Sequence, residues 1–94
     1  MSAITVRIPT PLRIFTGGAD EIPMEGSNVR DVLLQLVARH GELDKQLFKG
    51  DGELRDFINI FLGDTNIRSI AGLDSPIESA EVLNIVPAVA GGRL

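Results

Sequence analysis

The sequence predicts a two-layer α+β domain, a sheet covered on one side by a single main helix. Three observations carry this. Apolar and polar residues alternate at 3–8, 57–62 and 81–89, the period of half-buried strands. One long stretch, 28–40, has the period of an amphipathic helix. The 94 residues match the size of one domain, and no repeat, low-complexity run or linker divides them. One helix covers one face of a sheet, so the other face is expected to lie open.

The elements follow in chain order. In AITVRI, Ile4, Val6 and Ile8 point one way and Thr5 and Arg7 the other. Pro9 and Pro11 then limit further ladder pairing, and PLRIFTGG runs to a turn at Gly17-Gly18. ADEIPM, 19–24, predicts a short second strand, held to an edge by Pro23. In NVRDVLLQLVARH, 28–40, Val29, Val32, Leu33, Leu36 and Val37 form the stripe and Leu34 lies off it. Ser27 or Asn28 caps its start, with Asp31 early where the dipole favours an anion. Arg39 sits late, and Gly41 is expected to end the helix. ELDKQLF, 42–48, adds a short helical turn, and KGDGE, 49–53, a loop. In FINIFL, 57–62, Ile58, Ile60 and Leu62 share one face, and Phe57, Asn59 and Phe61 the other. NIRSI starts a short pairing segment after the Gly63-Asp64 turn. AGLDSPIESAE reads as a loop with room for one helical turn. EVLNIVPAV, 81–89, is the last strand, with Leu83 and Ile85 opposed to Val82, Asn84 and Val86.

Composition narrows the function. Hydrophobic residues make up 44% and charged residues 23% of the chain, enough apolar surface for a folded core. The net charge is −4 and no basic block exists, so nucleic acid is not an expected partner. No apolar run nears the ~20 residues that span a bilayer, and MSAITVRIP is not a signal peptide. A soluble cytoplasmic protein is therefore expected, without a membrane partner. The absence of cysteine removes disulfide, thiolate and thiolate-metal chemistry.

No ordinary active site emerges, so no catalytic residue and no metal site is assigned. His40, the one histidine, lies on the extended apolar stripe and reads as a packed or capping residue. None of the serines sits in a G-x-S-x-G setting. Asp51 and Glu53 lack the other ligands of a calcium loop and read as a solvated turn. Two features remain. Phe57, Phe61, Val82 and Val86 are expected on the open sheet face, with Val89 beyond them, as a partner-docking surface. The chain also runs into PAVAGGRL, small residues that suit a narrow channel. Glycine lacks a Cβ, so other groups approach its carbonyl closely. On composition alone an inert terminus remains the simpler reading.

Three stretches, VRIPTPLRIFTGG, LRDFINIFLGDTNIR and LNIVPAVAGG, together with the helix between them, resemble the ubiquitin-like sulfur carriers of the MoaD/ThiS group. Within it the chain is most similar to the CysO-type carriers. The resemblance implies a ubiquitin-like β-grasp over residues 1–87, with a mixed sheet and one main packing helix. It also implies a flexible tail, 88–94. Gly91 and Gly92 would carry the role. An activating enzyme would consume ATP to adenylate the Gly92 carboxylate, and a sulfur donor would convert it to a thiocarboxylate. The carrier would then serve a PLP-type sulfhydrylase or a similar acceptor enzyme, making cysteine or homocysteine. On this reading the chain is a protein co-substrate, not an enzyme, and binds no cofactor. Arg93 and Leu94 depart from the family pattern. The expectation is that they are removed, by a JAMM-type metalloprotease, before Gly92 is activated. A ubiquitin-like modifier conjugated through Gly92 and a MoaD-like molybdopterin synthase small subunit are the alternatives.

Overall fold

The computed structural model describes residues 2–77 and 81–87. Five strands form one mixed sheet in the order β2-β1-β5-β3-β4. They are β1 (Ser2–Arg7), β2 (Glu21–Gly26), β3 (Ile58–Leu62), β4 (Thr65–Asn66) and β5 (Glu81–Pro87). β1 and β5 are parallel at the centre, and the other neighbours are antiparallel. Helix α1 (Val29–Arg39) covers one face, and the short α2 (Leu43–Leu47) follows it.

The inward residues are those the alternation predicts. Ile4, Val6, Ile58, Ile60, Leu62, Leu83 and Ile85 are buried against Val29, Val32, Leu33 and Leu36 of α1. Leu43, Leu47 and Phe48 extend the core beyond the end of α1. Each such side chain contributes roughly 1.5–3 kcal/mol of transfer free energy. Leu34, off the stripe, is exposed.

The start of α1 is a reciprocal cap. The Asp31 amide donates to Asn28 Oδ1 at 2.8 Å, and the Ser27 amide donates to Asp31 Oδ2 at 3.0 Å, as in a capping box. The Ser27 amide, and then the Gln35 side chain, hold the Asp31 carboxyl below its ordinary range. Gly26, just before this cap, sits so close to the helix that a Cβ would lie 2.6 Å from Val32 Cγ2.

Several boundaries differ from expectation. β2 starts two residues later than the predicted strand, at Glu21. Its edge position and the placing of Pro23 in it hold. Residues Thr10–Thr16 form a 3-10 helix rather than a plain approach to the turn. Pro11 stands in its first turn, and the Leu12 amide donates to Pro9 O at 2.9 Å. Gly17 and Gly18 take positive φ and close it. His40, not Gly41, caps α1, through its amide to Leu36 O at 2.9 Å. Phe57 falls outside β3, because the Ile58 amide donates to Arg55 O and makes 55–58 a turn. β5 is described to Pro87, and the rest of the predicted strand lies outside the described residues.

Candidate functional site

Because α1 covers one face, the opposite face of the sheet is open, and its makeup follows from register. Glu21, Arg7, Asn84, Phe61 and Asn66 form one cross-strand row, and Pro23, Thr5 and Val82 form the next. Val86 stands opposite Asn59. Polar residues hold most of the first row, with Phe61 its one apolar member, and Thr5 stands between Pro23 and Val82 in the second. The apolar residues expected on this face, Phe61, Val82 and Val86, are thus set among polar neighbours.

A shallow groove of about 570 Å³ crosses this face, lined in part by Arg7, Arg13, Phe61, Asp64, Asn84 and Val86. Phe61 is half-buried, whereas Val86 is exposed. Arg13 reaches the groove from the 3-10 helix, and its Nε donates to Ile8 O at 3.1 Å. That bond fixes the guanidinium while leaving its terminal nitrogens to a ligand. Arg7 pairs with Glu21 at 3.2 Å, an exposed pair worth little to stability. A planar aromatic flanked by two arginines suits contact with an acidic and apolar protein surface.

A second groove, about 340 Å³, lies at the end of the sheet. Pro11, Leu12, Phe15, Phe57, Ile58 and Pro87 line it, and Gln46 is its one polar member among the described residues. Phe57 belongs here, apart from Phe61. Ile58 pairs with Pro87 in the sheet, so Phe57 adjoins the last described residue of β5.

The structure therefore gathers Phe61 and Val86 in one groove. It puts Val82 on the same face one row away, and it separates Phe57 from all three. Val89, Gly91, Gly92, Arg93 and Leu94 lie outside the described residues. Arg7, Arg13 and Asn84 line the groove but were not singled out from sequence. Alternation in β1 and β5 already turned Arg7 and Asn84 outward. Nothing local marked Arg13, because a tertiary fold-back of the 3-10 helix brings it in.

Among the described residues no group of three or more His, Asp or Glu side chains is arranged to hold a metal. No described helix is long and apolar enough to cross a membrane. Glu53 donates its amide to Asp51 Oδ1 at 3.0 Å, an ordinary local turn.

The chain is 35% identical over 91 residues to the sulfur carrier protein CysO of Mycobacterium tuberculosis, covering 95% of this chain and 98% of that one. The crystal structure of the Amycolatopsis orientalis BexX/CysO complex contains a chain that superposes with a TM-score of 0.86 at 36% identity, covering 95% of this chain and 99% of that one. The solution structure of small archaeal modifier protein 1 from Methanosarcina acetivorans matches with a TM-score of 0.86 at 34% identity, covering 98% of each chain. The fold shared with these structures is the ubiquitin-like β-grasp. The model of the ThiS family matches residues 6–92, nearly the whole described sheet and the glycine pair beyond it, and the chain belongs to that family.

Proposed function

We propose that this protein is a sulfur carrier of the CysO type, acting in the cytoplasm, with Gly92 as the residue that bears the sulfur. The observation that carries this is the extent of the family match, which runs to Gly92 and leaves out Arg93 and Leu94. The similarity to CysO over almost its full length supports the same reading.

The chemistry requires a free carboxylate on Gly92. Whatever follows Gly92 must first be hydrolysed, here the Gly92–Arg93 peptide bond, and a JAMM-type metalloprotease suits that step. An activating enzyme then joins the carboxylate to AMP from ATP and releases pyrophosphate. A sulfur donor displaces AMP and leaves the thiocarboxylate. Its sulfur attacks an activated amino acid held by a PLP-type sulfhydrylase or a similar enzyme and displaces the activating group; hydrolysis of the link to Gly92 then frees cysteine or homocysteine and restores the Gly92 carboxylate. The chain contributes no catalytic residue in this scheme. It supplies an unhindered acyl end and a sheet face by which partners hold it. Phe61, Val86 and Val82 are the docking residues proposed on that face, with Arg7 and Arg13 at its rim.

Intact mass of the protein purified from its own host tests this. The expected result is a chain ending at Gly92 with one oxygen replaced by sulfur. A chain still carrying Arg93-Leu94 while the host assimilates sulfur would overturn it. A second reading is a modifier conjugated to lysines through Gly92, favoured by the likeness to small archaeal modifier protein 1. Gly92 found in isopeptide linkage to other proteins would select that reading.

A further inference from the structure

We propose that the apolar groove at the end of the sheet seats the mouth of the enzyme that activates Gly92, and takes one large apolar side chain from its rim. This rests on the carrier reading above. It places a second contact surface apart from the Phe61 face.

The argument begins with chain length. Five residues, 88–92, separate Pro87 from the reacting carboxylate. Even fully extended they span at most about 18 Å. That is less than the 25 Å least dimension of the domain. An enzyme that holds the Gly92 carboxylate at the bottom of a channel is therefore pressed against whatever surrounds Pro87. β1 and β5 run parallel, so Pro87 and the 3-10 helix after β1 meet at the same end of the sheet. The groove is the surface that Pro87 itself lines there.

Its composition names the occupant. The molecule is acidic overall, and the Phe61 groove carries Arg7, Arg13 and Asp64. Among the described residues the groove at Pro87 carries no charged one, and six of the seven that line it are proline or apolar. Phe57 at its edge keeps 45% of its surface in water. An aromatic ring exposed beside an uncharged pocket favours an apolar partner side chain over a carboxylate or a guanidinium. The approach is forced by the tail, so this contact adds affinity without taking part in the chemistry.

The test uses the chain ending at Gly92 and its ATP-dependent activating enzyme, reading pyrophosphate release against carrier concentration. Phe57→Ser is expected to raise KM about tenfold with kcat nearly unchanged, the effect of losing one well-seated aromatic contact. Phe57→Leu, still apolar, is expected to stay near the parent KM. Gln46→Glu, which puts a charge into the groove from α2, is expected to raise KM as well. Circular dichroism melting checks that the variants are folded. A folded Phe57→Ser chain with the parent KM would overturn the groove assignment and leave the carrier reading standing. No pyrophosphate from the parent chain would instead remove the carrier reading and this inference with it.

Discussion

Gly26→Ala tests the tightest contact in the fold. A Cβ at position 26 would lie 2.6 Å from Val32 Cγ2, 3.1 Å from Asp31 Oδ2 and 3.3 Å from the Val32 amide nitrogen. Two of these three neighbours are poor at yielding. Val32 is fully buried, and a β-branched side chain in a helix has one strongly preferred rotamer. Its backbone is fixed by the first turn of α1, where the Val32 amide donates to Asn28 O at 3.2 Å. Relief therefore requires β2 and the start of α1 to separate, which also loosens the Ser27–Asp31 cap. Overpacking of this kind costs ~1–3 kcal/mol. The opposing gain from a less flexible unfolded chain is only ~0.4–1 kcal/mol. The clash wins, and a net loss of about 1–2 kcal/mol is expected. For a domain of this size that is a fall in Tm of roughly 4–16 °C. The chain has no tryptophan or tyrosine, so urea and thermal unfolding are best followed by far-ultraviolet circular dichroism. Val32→Ala supplies the control. It removes the clashing methyl groups, so it should cost less in the Gly26→Ala background than in the parent, with a coupling on the order of 0.5–3 kcal/mol. A Gly26→Ala protein as stable as the parent would refute the close approach of β2 to α1.

Three further outcomes are expected. Ile60→Ala should cost ~2–5 kcal/mol in urea unfolding, because Ile60 is buried opposite Ile85; a negligible cost would mean that the register of β3 is wrong. Phe61→Asp should lower the rate of Gly92 loading while changing stability by no more than about 1 kcal/mol, since the ring is only half-buried on the open face; a large drop in Tm would put the ring in the core. The Asp31 carboxyl, held down by the Ser27 amide, gives a pH signature. Its contribution is full above the ordinary value of 3.8 and is lost as pH falls below it through the folded value. The gap in Tm between the parent and Asp31→Asn should therefore narrow from pH 7 to pH 3, and a constant gap would argue against the cap.

Much of this molecule is written in local pattern. The two-residue period turned Ile58, Ile60, Leu62, Leu83 and Ile85 inward, and the 3.6-residue period picked Val29, Val32, Leu33 and Leu36. Both follow from backbone geometry within a few residues. Ser27 or Asn28 was readable as the cap and Asp31 as an anion suited to the helix start, while the structure chose Asn28 and tied Asp31 to the Ser27 amide; the glycine pair at 91–92 stood out by its chemistry. Tertiary structure decided the rest. The parallel pairing of β1 with β5 joins residues 77 apart in the chain, as Ile4 with Glu81, beyond the reach of any periodicity. That pairing sets Thr5 beside Val82 and Arg7 beside Asn84 on the open face. The fold-back of Thr10–Thr16 as a 3-10 helix brings Arg13 to Phe61, and it brings Pro11, Leu12 and Phe15 to Phe57 and Pro87. Gly26 carries no local sign of its role, because the methyl groups that exclude a Cβ belong to a helix six residues on. Period is a property of one segment, whereas grooves and close approaches belong to pairs of segments, and only the folded chain brings those pairs together.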